Sequence, residues 1–486
     1  MGKQSLKEKT ANGLFWGGLS NGVQQLISLV FGIFLARILT ADDYGMVGML
    51  TIFSLIASTI QESGFTAALT NKQNIKHEDY NAVFWFSTFS GIALYIALFF
   101  CAPLIADFYN TPAITSLARF LFLGFAISAT GIAHNAILFR NLRVKEKTKT
   151  DIAAVLVSGS IGVTMALSGM SYWGIATQQI VYVFVVTVLR WHFSAWRPTF
   201  QIDFRPLKSM LSFSSKLLLT HIIAQINANI FSVLLGKYYS KKDVGFYTQG
   251  NKWMMMGHLL IASTINTIAQ PVFSQVVNDK QRQVQVFQKL FCFIAFVSFP
   301  AMLGLAFISE EFILIAIGDK WLPSVPILQL LCIVGAIWPF TNLYSQVIIS
   351  KGKSNIYFWI NLCFGISQIL IALLTLRYGV LWLIRIYVLE YMVLLFVWQC
   401  VIKKQIGFKH QTMIKELSVY LFSTLLAFVI TYGITLSIHN LYLLLISKIS
   451  IAAIIYIGIM KIGRSVVLDE CIAFVRSKLK HDSGGL

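Results

Sequence analysis

With Arg190, Lys461 and Glu416 counted in the loops they adjoin, seven basic side chains stand inside apolar runs of this chain, Arg37, Arg119, Lys216, Lys252, Lys289, Arg385 and Lys448, against two acids, Glu62 and Glu390. A charge near the centre of a bilayer costs about 2.5–3.5 kcal/mol on insertion scales, so such residues face a bundle interior or a wet cavity. An excess of buried cations suits an anionic substrate, and phosphate oxygens take charge-assisted hydrogen bonds from Lys and Arg. Lys216, with His221 beside it, and Lys252 occupy consecutive apolar runs with no acid nearby in sequence, which makes them candidates for one cationic floor. Arg37 closes the first run. It is a candidate substrate contact, or a side chain that snorkels to the headgroups or caps the helix C-terminus.

Glu62, in Gln61-Glu62-Ser63-Gly64, is either a proton or Na⁺ coupling site or half of a buried ion pair. Arg385 and Glu390 share one run at a spacing of five, off the i,i+4 ladder, so they pair with neighbouring helices or meet substrate. His134 and Arg119 fit interhelical hydrogen bonding. No residue group reads as catalytic, and no cofactor or metal is implied. The six cysteines show no CxxC spacing, and five of them lie in apolar runs, where cysteine acts as a small hydrophobe.

The elements that hold these residues are membrane helices. Of the 486 residues 57% are hydrophobic and 12% charged, with a mean hydropathy of +0.71; a soluble domain carries about 25% charged residues. Stretches of about twenty residues, enough to cross a bilayer, fall near 12–38, 44–69, 81–103, 114–137, 152–168, 172–193, 210–236, 244–275, 288–309, 327–350, 355–376, 379–402, 416–437 and 441–461. The expectation is an all-α integral membrane protein of about fourteen transmembrane helices. Basic residues crowd alternate loops, 27 on one side and five (Lys237, Lys241, Lys242, Lys320, Arg377) on the other. By the positive-inside rule both termini are cytoplasmic. Asp42, Asp43, Asp107, Glu310, Glu311 and Asp319 then lie in outer loops, and the net charge of +19 needs no nucleic acid. Trp191, Trp196, Tyr238, Tyr239, Trp321 and Tyr378 are placed as interfacial belts, and Pro271 and Pro300 as bends.

The halves echo each other at an offset of 200 residues. Phe31 to Gly45 aligns without a gap on Phe231 to Gly245, with Phe31/Phe231, Leu35/Leu235, Asp43/Asp243 and Gly45/Gly245 identical and Thr40/Ser240 and Arg37/Lys237 alike in chemistry. Six spans separate the equivalents, so the repeat is the parallel type, related by an axis along the membrane normal. The predicted organisation is a six-helix lobe at 1–205, a second at 206–402, and a helix pair with a cytoplasmic tail at 403–486.

Arg37-Ile-Leu-Thr-Ala-Asp-Asp-Tyr-Gly-Met-Val-Gly-Met-Leu-Thr-Ile-Phe53, then Glu62-Ser-Gly-Phe-Thr-Ala-Ala-Leu69 and Asp79-Tyr-Asn-Ala-Val-Phe-Trp-Phe86, resemble the polysaccharide-transport family. These are the Wzx-type flippases of the multidrug/oligosaccharidyl-lipid/polysaccharide exporter superfamily. Pro103 to Tyr109, Trp196-Arg-Pro198 and Gly318 to Pro323 extend the match over residues 10 to 400. The resemblance implies two lobes around a cavity in a bacterial inner membrane. By alternating access, undecaprenyl-diphosphate-linked oligosaccharide would pass from the cytoplasmic to the outer leaflet, with ion coupling. A polysaccharide polymerase and glycosyltransferases, besides membrane lipids, are the implied partners. The sequence departs from the family pattern at Glu62, where Asp is common, and at Gln249, where a basic residue is common and Lys252 lies close by. A membrane-embedded glycosyltransferase or O-antigen polymerase is the alternative, but those enzymes need a sizeable outer loop, and the longest here runs only from Ser309 to Pro326.

Overall fold

The computed structural model describes the backbone of residues 6–62, 69, 72, 74–141, 143–275 and 279–473, with side chains described there except at 6–21, 61–62, 208–221, 260, 263–272, 274–275 and 354. Every regular element among the described residues is helical. In lipid no water satisfies backbone N–H and C=O groups, and a helix pairs them within one segment.

Residues 1–248 and 249–486 form two compact units. The first contains α1 (Leu6–Ile38), α2 (Ala41–Glu62), α3 (His77–Phe108), α4 (Ile114–Ala129), α5 (Ile132–Arg140), α6 (Val144–Leu167), α7 (Trp173–Ser194), α8 (Leu207–Tyr238) and the opening turns of α9 (Lys241–Gln275). Helices α4 and α5 meet at a 48° bend, so the span expected at 114–137 is broken in two. After α7 residues 195–204 form no regular element. Asn81 holds this segment, its amide nitrogen donating to Gln201 O at 2.6 Å and its Oδ1 accepting from Thr199 N at 2.9 Å.

The second unit continues α9 into α10 (Lys280–Ser298), a π-helical turn (Phe299–Leu303), α11 (Gly304–Phe307), α12 (Ser309–Ala316), a 3-10 turn (Asp319–Ser324), α13 (Val325–Ser350), α14 (Ser354–Thr375), α15 (Val380–Ile406), α16 (His410–Thr435) and α17 (Leu441–Ile462). Pro300 lacks the N–H that an α-helix would use, and the wide turn forms around it. Its core is aromatic: Phe287, Phe291, Phe340, Tyr344 and Phe408 are fully buried and stack on one another.

Ten described helices are long and apolar enough to cross a membrane, eleven with the bent α4–α5 pair. Helices α1, α8 and α9, at 33, 32 and 35 residues, have side chains described only in part. Large apolar side chains such as Phe100, Leu104, Leu374, Val429 and Ile454 point outward at 68–77% exposure. A bilayer, not water, is the solvent for such faces. Trp321 departs from the interfacial placement: it is fully buried inside its unit.

Candidate functional site

Two features stand out, one in each unit. In the first unit the internal repeat is a physical contact. Helices α1 and α8 end 200 residues apart, at Ile38 and Tyr238, and α2 and α9 begin 200 residues apart, at Ala41 and Lys241. The same local chemistry makes both breaks. Asp43 accepts from Thr40 N at 2.9 Å and Thr40 Oγ1 at 2.8 Å, while Thr40 Oγ1 accepts from Asp43 N at 3.3 Å. Asp243 accepts from Ser240 N at 3.1 Å and Ser240 Oγ at 2.6 Å, and Ser240 Oγ accepts from Asp243 N at 3.1 Å. These reciprocal caps satisfy orphan donors at each helix start and place a carboxylate at its positive end. The second oxygen of Asp43 also accepts a hydrogen bond from Ser171 Oγ.

The two helix starts then meet. A Cβ on Gly45 would lie 1.9 Å from Lys241 O, and one on Gly245 1.9 Å from Ala41 O. Gly48 faces its own repeat mate, Thr248, whose Oγ1 would sit 2.6 Å from an added Cβ. Residue 45 on 241, 245 on 41 and 48 on 248 is the pattern of a local two-fold axis between parallel helices. Tyr109 seals the flank, its hydroxyl donating to Met49 O at 3.1 Å and its ring packed where a Gly236 Cβ would stand.

In the second unit, α9, α10, α11, α16 and α17 enclose an apolar groove of about 790 Å³. Small residues make the space: Gly257 on α9, Ala301 and Gly304 around the π-helical turn, and Ala452 and Ala453 on α17. Lys448 lines it and pairs with Glu311 at 2.5 Å. The rings of Phe307 and Phe428, parallel with centroids 5.0 Å apart, line this groove and also a neighbouring cavity of about 420 Å³. Arg385 lines that second cavity, its guanidinium 5.2 Å from the Trp382 ring.

The side chains of Lys216, His221 and Glu62 lie outside the described residues, as does that of Pro271. Arg37 is exposed in the last turn of α1. Its repeat mate Lys237 donates to Phe108 O at 2.6 Å. Lys252 is half-buried, its ammonium 5.3 Å from the Trp253 ring, and Trp253 packs edge-on against Phe312. Buried Glu390 takes a hydrogen bond from Ser367 Oγ, and it joins no ion pair among the described residues. Arg119 donates to Phe99 O at 3.3 Å and stacks on that ring, and His134 stacks 4.4 Å from Trp191. Lys289 pairs with Glu470 at 2.7 Å with both side chains substantially exposed.

Glu311 is the residue that sequence reasoning missed. Assigned to an outer loop, it is instead buried on α12 and neutralises Lys448. The available signal was Lys448 itself, a cation in an apolar run with no acid on its own helix.

Residues 34–326, more than half of the chain, match the family described as "Polysaccharide biosynthesis protein". The teichuronic acid biosynthesis protein TuaB of Bacillus subtilis strain 168 is 25% identical over 372 residues, covering 75% of this chain and 76% of that protein. The lipopolysaccharide biosynthesis protein WzxC of Escherichia coli K12 is 25% identical over 363 residues, 74% and 73% of the two chains. In fold the chain is similar to the lipid II flippase MurJ in an inward closed conformation, at a TM-score of 0.76 and 16% identity over 92% of this chain and 98% of that one. It is also similar to an inward-facing multidrug resistance MATE family transporter of the MOP superfamily, at 0.62 and 15% over 82% and 95%. The many-helix fold is thus shared with these two structures, and the match along residues 34–326 shows that this chain belongs to the polysaccharide biosynthesis protein family.

Proposed function

We propose that this protein is a flippase that carries undecaprenyl-diphosphate-linked oligosaccharide repeat units from the cytoplasmic to the outer leaflet of a bacterial plasma membrane. The observation that carries the reading is the groove of about 790 Å³ in the second unit, largely apolar with the cation Lys448 in its lining. A polyprenyl chain fits such a groove, and a diphosphate needs Lys or Arg partners. Lipid tails are as apolar as the groove wall, so entering it gains the chain little free energy. Selection therefore rests on the headgroup, through Lys216, Lys252, Arg37, His221 and Arg385. Glu62 and Glu390 are the proposed coupling acids.

The charge asymmetry of the loops supports two cytoplasmic termini, and the 200-residue repeat supports lobes at 1–205 and 206–402 followed by a helix pair. In that orientation the Gly45–Gly245 crossing lies at the outer end, and alternating access requires it to open. The relatives' names, teichuronic acid and lipopolysaccharide biosynthesis, favour a surface polymer as the destination. A polymerase and glycosyltransferases would then be functional neighbours. A glycosyltransferase reading is disfavoured because the 309–326 segment is folded into α12 and a 3-10 turn, with Glu311 held by Lys448.

Depletion in the native host tests the proposal. It should leave undecaprenyl-diphosphate-linked oligosaccharide in the cytoplasmic leaflet with the polymer lost. Normal leaflet distribution of that lipid after depletion would reject it.

A further inference from the structure

Lys448 is a charged residue in an otherwise largely apolar groove lining, and its ion pair with Glu311 is unfinished. Both side chains are about nine-tenths buried, at 10% and 9% exposure. Lys448 Nζ carries three donors, and its described partners are one carboxylate oxygen, Glu311 Oε1, and the face of Phe307 at 4.8 Å. Glu311 Oε2 is buried with no hydrogen-bond partner. Two charges withdrawn from water are stable only when their remaining donors and lone pairs are also satisfied, so a pair kept merely to staple α12 to α17 would be expected to close on itself. This one leaves donors on Lys448, which lines the apolar groove, next to an unpartnered acceptor on the adjoining buried Glu311.

A ligand that completes it must offer acceptors to the ammonium and a donor to the carboxylate within a few ångströms, and must carry an apolar chain. A phosphate ester gives the acceptors and a sugar hydroxyl gives the donor. We infer that Lys448 and Glu311 form a junction subsite for a glycosylated lipid phosphate: a phosphate oxygen accepts from Lys448 Nζ, a hydroxyl of the attached sugar donates to Glu311 Oε2, and the lipid chain lies along the groove. The inference rests on the flippase reading, and it adds Lys448 and Glu311 to the headgroup contacts proposed there. In the proposed orientation the subsite is at the outer end of the groove, where the substrate leaves.

The test is native mass spectrometry of the full-length protein in detergent, offered undecaprenyl-diphosphate-linked N-acetylglucosamine, unglycosylated undecaprenyl diphosphate, phosphatidylglycerol or inorganic diphosphate. The parent should retain the glycolipid over all three others. The exchanged pair Glu311→Lys with Lys448→Glu keeps the ion pair but reverses its ends, so it should keep thermal stability and lose glycolipid retention about tenfold or more. Should the exchange fail to fold, Glu311→Gln takes its place. It leaves an acceptor for Lys448 and should erase the preference for the glycosylated over the unglycosylated lipid. Undiminished retention in the exchanged pair, or an undiminished sugar preference in Glu311→Gln, would reduce the pair to a staple and overturn the inference while the flippase reading stands. Equal retention of phosphatidylglycerol by the parent would assign the site to ordinary phospholipid headgroups and overturn it too. Failure of the folded parent to flip the glycolipid in liposomes would instead strike the flippase reading itself.

Discussion

Replacing Gly245 with alanine should hold the crossing of α2 and α9 open. A Cβ there would stand 1.9 Å from Ala41 O, where ordinary van der Waals contact begins at 3.4 Å, so the two helix starts must separate by about 1.5 Å. The obstacle is backbone, which cannot rotate aside as a side-chain tip can. Overpacking of this kind costs about 1–3 kcal/mol. Helix propensity alone acts in the opposite direction, favouring Ala over Gly by about 1 kcal/mol, so any loss identifies the contact as its cause. If the crossing exists only in the outer-closed state, the penalty falls on that state alone and shifts the closed-to-open ratio by about 5- to 150-fold. Cysteines at Asp42 and Lys242, both exposed at the adjoining helix starts, report the ratio through bismaleimide cross-linking in a background otherwise free of cysteine. Gly245→Ala and Gly45→Ala should each slow cross-linking and depress export at unchanged membrane abundance. If the double variant cross-links and exports like its parent, the crossing is no gate.

Four other outcomes are expected. Lys216→Ala with Lys252→Ala should abolish export at normal abundance, whereas Lys→Arg at either position should retain part of it; normal export by the double alanine variant would remove both from the substrate site. Glu390→Gln keeps an acceptor for Ser367 Oγ, so thermal stability should persist while ion-gradient-driven flipping in proteoliposomes falls, and unchanged driven flipping would exclude Glu390 as a coupling acid. Arg385→Lys keeps charge but loses the planar fork, and should weaken retention of a lipid diphosphate about tenfold; unchanged retention would make Arg385 a bystander of its cavity. Cysteines at the exposed positions Asp107 and Asp319 should react with an impermeant thiol reagent from outside, and one at Lys147 should not; the reverse pattern would invert the topology.

What could be read from the chain, and what could not, follows from the range of the forces involved. The break between α1 and α2 and its copy between α8 and α9 were legible because their caps are local: Thr40 with Asp43 and Ser240 with Asp243 close over three residues, and a sequence shows such spacings directly. The identity of Gly45 and Gly245 was legible too. Its meaning was not, because the atoms that forbid a side chain there belong to Lys241 and Ala41 in the opposite repeat. Pro300 announced a departure from α-helical geometry, and only the backbone showed it to be a π-helical turn that, with Gly304, opens the groove wall. Lys289 was misplaced for a simpler reason. The first turns of α10 are polar, so an apolar run begun at 288 took in a residue that sits outside and pairs with Glu470.

Lys448 carries the general lesson about charge in membranes. Its cost in hydrocarbon made it visible as a residue needing something. Hydropathy does not say what satisfies it, because the partner is 137 residues away on α12, a helix too short to register as a span. The same blindness would conceal a ligand. A substrate anion and a distant carboxylate solve one electrostatic problem, and a sequence poses that problem without distinguishing the two solutions. In this protein the two solutions meet at one place: the carboxylate that answers Lys448 spends only one of its oxygens, and the same ammonium lines the groove. On the proposed reading, an intramembrane cation whose partner is incompletely used points to a transport site, since the pair would hold the ammonium stable between turnovers while its remaining donors stay available to a substrate anion.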